Sequence, residues 1–332
     1  MNNTKNGEKG TERTAEDYLV KPNEEFVDIK DDLVFKFMLT MNTQESRETL
    51  RCLISAMIGK EVKNVTLNTN EPQTGNANQK PCRLDVNCEF DGKQSANVEM
   101  TMDPDESEFI RIEHYLMGNG AGRDTKGVPY KDFPYVYQIS FLGKGNMSDD
   151  DEPINTHGIC NLRTKKLMNT RGRIITVELN KLKNKVESVE TLSEAEKWAA
   201  YIAWINDKSK INLVNELIKK VGGLQMATNA LRQATSSHLL YMEMLSAKKA
   251  RDIEFNRMAR AKREAKAEGK AEGKAEGKAE GEQIGEARGE AKLKEREIEI
   301  AKNSLKKGLD FDTISEITGL SIEQIQALKS QK

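Results

Sequence analysis

Two hydrophobic periods divide the chain. From Asp31, the apolar positions Leu33, Val34, Phe37 and Met38 follow helical spacing, with Asp31 or Asp32 where a helix cap sits. A second helix is predicted over 45–57, with Leu50, Leu53, Ile54 and Met57 on one face. The period then drops to two. Over 83–90 the apolar residues are Leu84, Val86, Cys88 and Phe90, and the polar ones are Arg83, Asp85, Asn87 and Glu89. Over 97–103, Val98, Met100 and Met102 alternate with Asn97, Glu99, Thr101 and Asp103. Both read as half-buried strands, joined through the hairpin signal Asp91-Gly92. Two more strands are predicted over 135–142 and 173–179.

All seven prolines lie at or before Pro153, so the second half is free to carry long helices. One is predicted over 194–205 with Trp198 and Trp204 as core anchors; others follow over 211–221 and 224–258, broken by Gly222-Gly223. Met226, Met242 and Met244 are read as helix packing. A tract then repeats Lys-Ala-Glu-Gly, with glycine every fourth residue from Gly269 to Gly289. Each interior glycine costs a helix about 1 kcal/mol relative to alanine. The tract is therefore a marginal helix, and its charges exclude a membrane role. At the end, Phe311, Ile314 and Ile317 precede Gly319, and Ser321-Ile322-Glu323-Gln324 matches a capping box opening a last helix.

The expected division is a disordered tail over 1–25, an α/β core over 26–182, a helical region over 183–258, a charged linker or coiled coil over 259–302, and a helix-turn-helix-like module over 303–332. With 52 basic and 53 acidic residues among 332, the net charge is −1, and no global pull towards nucleic acid or membrane follows. No apolar run approaches the ~20 residues that span a bilayer. Residues 1–17 carry no apolar core of a secretory signal, and the four cysteines form no C-x-x-C pair. Reduced thiols in a cytoplasm are the expectation.

Charge pairing is the chemically informative feature. A three-residue turn at 91–93 pairs Phe90 with Gln94 and sets Asp85 opposite Glu99; a two-residue turn would mix the faces. Like charges side by side destabilise a sheet, and a hard divalent cation is one compensation. The alternative is a solvated face on which the two carboxylates repel without consequence. Elsewhere, the stretch 154–177 contains no acid but carries Arg163, Lys165, Lys166, Arg171 and Arg173. It suits phosphate contacts along a DNA backbone and equally a solvated strand–turn surface.

Asp32-x-x-Phe35-Lys36, Arg83-Leu84-Asp85-Val86, Asn97-Val98-Glu99-Met100, Arg111-x-x-x-Tyr115 and Lys126-Gly127-x-x-Tyr130 occur in that order. With Glu196-Lys197-Trp198, the glycine repeat and Ile314-x-x-x-Thr318-Gly319-Leu320-Ser321, this set resembles the Rpn-type recombination-promoting nuclease and transposase family, a branch of the PD-(D/E)XK nuclease superfamily. The resemblance implies a restriction-endonuclease-like core of mixed sheet and flanking helices, and a Mg²⁺- or Mn²⁺-dependent DNA endonuclease. It assigns Asp85, Glu99 and the Met100 carbonyl to the metal, Asp32 to the helix-borne acidic position, and Arg111 and Tyr115 to the substrate. Thr101 stands where the family carries Gln and other superfamily members Lys. A hydroxyl can hydrogen-bond there but brings no charge. His114, where the family tends to show Tyr, is read as a helix-surface residue. Two rivals remain: a nuclease-fold protein that binds DNA and cleaves little, and a homo-oligomeric interaction protein acting through its helical half.

Overall fold

The computed structural model describes residues 14–68, 84–121, 127–144, 147–184 and 188–330. Arg83, Cys82, Lys126 and the tail over 1–13 lie outside the described residues. The chain divides into two units, one through Ala247 and one from Lys248.

The first unit is built on six strands: β1 (Val65–Leu67), β2 (Val86–Phe90), β3 (Gln94–Thr101), β4 (Val136–Leu142), β5 (Ile154–His157) and β6 (Gly172–Glu178), in the order β1-β2-β3-β4-β6-β5. The pairs β3–β4 and β4–β6 are parallel; the other three are antiparallel. Positive φ at Asp91, Gly92 and Lys93 closes the predicted three-residue turn, and Phe90 pairs with Gln94. The Asp91 carboxylate accepts from the Lys63 and Asn64 amides, which ties the turn to the segment entering β1.

One sheet face is apolar throughout. Val86, Cys88, Phe90, Ala96, Val98, Met100, Ile139, Phe141, Ile175 and Val177 join a single core. Helix α1 (Asp32–Thr40) packs there against β2 and β3, with the Phe35 and Phe141 rings 5.4 Å apart. Asp31 caps this helix by accepting from the Leu33 amide, so Asp32 is its first helical residue. Further apolar cover comes from α2 (Gln44–Ile58), α4 (Glu194–Trp204), α5 (Ile211–Lys220) and α6 (Gly222–Thr235). Gly59 ends α2 in the left-handed region, and Ser193 opens α4 with a reciprocal capping box to Glu196. Trp198 and Trp204 are buried, as expected of core anchors.

The opposite face carries the polar residues, and here an expectation fails. The strands are not half-buried: Asn97, Glu99, Gln138, Ser140, Thr176 and Glu178 are all inaccessible. Helix α3 (Glu108–Ala121) lies over β3, β4 and β6 and removes this face from water. Alternation reports which side meets the apolar core; it says nothing about a cover on the other side. The disordered tail also fails from residue 14 on. Tyr18 and Val20 join the core, and Glu24 pairs with Arg232 at 2.6 Å. Strands β1 and β5 are additional to the predicted set, being too short to show an alternation. The predicted helix over 224–258 is interrupted at Ser236-Ser237, and Met242 is half exposed rather than packed.

Helix α7 (His238–Lys306) carries the glycine tract in unbroken helical form, and a Cβ added at any glycine from Gly269 to Gly289 would meet nothing within 4 Å. Beyond it, α8 (Phe311–Thr318) ends at Gly319 in the left-handed region, and α9 (Ile322–Ser330) follows. Ala301, Ile314 and Ile325 form the small core of this module. The Ser321–Gln324 capping box is present in both directions. Among the described residues, no helix is long and apolar enough to cross a membrane.

Candidate active site

Register builds the site. Val86 pairs with Val98, so Asp85, one residue before β2, falls beside Glu99. The Met100 amide donates to the Asp85 carboxylate, which fixes the acid against the end of β3. On the other side Glu99 pairs with Ser140 of β4, and Ser140 with Thr176 of β6. One polar row therefore crosses the sheet. The row next to it supports Glu99: Asn97 Nδ2 donates to Glu99 Oε1 at 2.8 Å and to Gln138 Oε1 at 3.0 Å. Gln138 Nε2 donates in turn to Ser140 Oγ at 3.2 Å. Asn97 Oδ1 is buried without a partner.

The two carboxylates resist ionisation. Burial, and after it the negative charge of Asp85, pushes Glu99 up to about 8 from an ordinary 4.5, against the opposing pull of Asn97 and Arg111. Asp85 is also raised, first by burial; Lys36 opposes this and Asp32 adds to it. Asp32 and Lys36 lie one turn apart on α1, so that helix brings an acid and a cation to the rim of the pair. Asp32 itself is exposed.

Helix α3 supplies the other wall. Arg111 Nη2 donates to Glu108 Oε1 at 2.7 Å and to Thr101 Oγ1, whose hydroxyl also donates to Glu108 Oε1 at 3.2 Å. Arg111 Nε is buried without a partner. The guanidinium stands 5.8 Å from the Tyr115 ring centre, and its charge acts on both Asp85 and Glu99. His114 is exposed on this helix, as read from the sequence, with its ring 6.0 Å from that of Tyr115.

The structure thus gathers Asp85, Glu99, Thr101 and Arg111 about the end of β3, with Asp32 acting from the rim and Tyr115 one turn behind Arg111. Sequence reasoning missed Glu108, which is buried and raises Glu99 further. Its signal was present: an acid in the first turn of α3, three residues before Arg111. It also missed the Asn97–Gln138 support, because a cross-strand amide pair needs the β3–β4 register. Among the described residues, no group of three or more acidic, histidine or cysteine side chains is close enough to hold a metal ion. The donors are instead a carboxylate pair with backbone beside it. In kind they fit a hard divalent cation, since paired, desolvated carboxylates gain most from such a charge.

Comparison with known proteins gives two matches. Residues 29–261 match the family described as PD-(D/E)XK nuclease family transposase. Residues 294–330 match the Rpn/YhgA-like nuclease family, C-terminal HTH domain. No curated protein and no solved structure matches the chain.

Proposed function

The chain belongs to the PD-(D/E)XK nuclease family transposases, and from that premise we propose that it is a divalent-metal-dependent endonuclease hydrolysing DNA phosphodiester bonds. The observation that carries the reading is the Asp85–Glu99 pair, a half-buried and a buried carboxylate side by side, both with raised pKa values that a nearby positive charge would lower. Mg²⁺ or Mn²⁺ there would activate water and neutralise charge on the scissile phosphate. Asp85, Glu99 and the Met100 carbonyl would hold it, with Asp32 adding negative charge from α1.

The remaining roles belong to the chain's own groups. Asn97 holds Glu99 Oε1 in place. Thr101 orients water through its hydroxyl, but its shortness leaves the developing charge unmet. Arg111 supplies that missing charge: its guanidinium is anchored on the Thr101 hydroxyl and on Glu108, and it acts electrostatically on both carboxylates. A phosphate between Arg111 and the carboxylate pair would find its bidentate donor there, with Tyr115 behind it. The helix-turn-helix module would add DNA contacts of its own.

Nicking of supercoiled plasmid in Mg²⁺ or Mn²⁺ tests the reading. The wild type should nick and the Asp85→Ala/Glu99→Ala double variant should not; equal cleavage by both sinks the assignment. A second reading, DNA binding with little turnover, is favoured by one observation: the Glu108 carboxylate that anchors Arg111, 2.7 Å away, also offsets the charge Arg111 would have to supply in place of a longer side chain at Thr101. A large gain on Thr101→Lys or Thr101→Gln would support this second reading, by showing an otherwise competent site short of one group.

A further inference from the structure

Residues 158–171 join β5 to β6, and they form a closed hairpin rather than a slack loop. Cys160 bridges Leu167, Met168 N donates to Ile159 O at 2.8 Å, and Asn161 N donates to Lys166 O at 2.9 Å. Asn161 Oδ1 accepts from the Arg163 and Thr164 amides, both at 3.0 Å, and Lys165 takes a positive φ of 56° to close the tip. All of 158–169 is exposed, including Ile159, Leu162, Leu167 and Met168. Apolar side chains of this size on a free tip ask for a partner.

Charge says which partner. No acid occurs over 154–177, while Arg163, Lys165 and Lys166 crowd the tip and Arg171 and Arg173 stand at its root. The root arginines lie against rings: Arg171 is 4.5 Å from the centre of Phe133 and Arg173 is 5.8 Å from that of Tyr135. Phe133 in turn meets Tyr130, which is 89% exposed. A basic two-stranded ribbon whose root arginines lie against the rings of 130–135 suits a polyphosphate with a groove wide enough to admit the ribbon.

The helix-turn-helix module has no comparable excess of positive charge. Over 294–330 it carries six basic and seven acidic residues, and on α9 the single cation, Lys329, lies 5.1 Å from the Phe311 ring centre. The root of the arm stands where β6 begins, at the other end of the parallel strands from Glu99. Gly172, Val136 and Ser95 share one row of the sheet, four residues along β3 from Glu99. That is about 13 Å along the strands and about 10 Å across them, about 16 Å in all, or roughly five base steps of DNA.

We propose that the hairpin 158–171 is a DNA-docking arm that grips duplex DNA through its phosphates and seats Leu162 in a groove. This rests on the nuclease reading, but binding and cleavage are separable. The test is fluorescence anisotropy of the full chain on a fluorescein-labelled 30-base-pair duplex in EDTA, over about 50–300 mM salt. The triple variant Arg163→Ser/Lys165→Ser/Lys166→Ser touches only exposed side chains. It should weaken binding at least tenfold at 100 mM salt and reduce the slope of log affinity against log salt by about two to three. Leu162→Ala should weaken binding severalfold with the slope unchanged. Lys306→Ser/Lys307→Ser, in the charge-balanced module, should change neither by as much.

Unchanged affinity and slope in the triple variant would overturn the proposal, as would a wild type that does not bind the duplex at 50 mM salt. Loss of sedimentation with vesicles of phosphatidylcholine and phosphatidylserine, without loss of duplex binding, would also overturn it by assigning the arm to a membrane. A chain that binds through the arm yet fails to nick with Asp85 and Glu99 intact would leave the arm standing and remove the nuclease reading instead.

Discussion

Alternate residues of β3 lie on faces with opposite economies. Ala96, Val98 and Met100 point into the core made with α1 and β4, while Asn97, Glu99 and Thr101 point under α3. Both sets are buried save Thr101, which is half-buried, yet only one gains by it. On the apolar face every side chain removed from water adds about 25 cal/mol per Å². On the other, burial penalises each charge, and hydrogen bonds from Asn97 and the Met100 amide recover part of the loss. The carboxylate on that face, raised to about 8, is accordingly the residue on which the proposed chemistry rests.

Substitutions on the two faces should separate these roles. Phe141→Ala, against the Phe35 ring, should cost about 3–5 kcal/mol in urea unfolding through the cavity it leaves. Glu99→Gln keeps an acceptor for Asn97 and removes the charge. It should reduce plasmid nicking at least a thousandfold, about 4 kcal/mol in barrier, while leaving the unfolding midpoint unchanged or higher. A midpoint as low as that of Phe141→Ala would erase the contrast.

The pH dependence sharpens it. Between an unfolded value of 4.5 and a folded value of about 8, the native state holds a proton on Glu99 that the unfolded chain has lost. Stability from this group is therefore full below about pH 4.5, falls as pH rises through the window, and levels off above about 8. Urea midpoints at pH 5.5, 7 and 8.5 should fall in the wild type and flatten in Glu99→Gln. Mg²⁺ should restore more stability at pH 8.5 than at 5.5, because the site must be deprotonated to bind it. Parallel wild-type and variant profiles would show that Glu99 titrates normally.

Two smaller effects complete the series. Arg111→Lys keeps a charge but loses the guanidinium whose Nη2 holds Thr101 and Glu108 while its other nitrogens stay available to phosphate, and should slow nicking about tenfold to a hundredfold with little loss of fold. Gly277→Ala, in open space on α7, should raise helix stability by about 1 kcal/mol, read from circular dichroism on heating, with nicking unchanged.

Alternation in 83–90 and 97–103, with one short turn between, was enough to pair Asp85 with Glu99. A period of two leaves a single register in which like faces meet, and a misregister would place charges in the core. The cap at Ser321 was equally legible and the one before Leu33 was narrowed to Asp31 or Asp32, because capping is local chemistry. What lay over the polar face was not. The spacing of Glu108 and Arg111 declares a helical pair, but only the packing of α3 on β3, β4 and β6 buries it beside Thr101. Asn97 and Gln138 lie 41 residues apart and meet only once the parallel β3–β4 pairing exists. Sequence thus determined the two hairpin strands, their turn and the acidic pair, all set by short-range periodicity. The desolvation that tunes that pair was decided by tertiary structure, because burial depends on what the rest of the chain brings to the other side of the sheet.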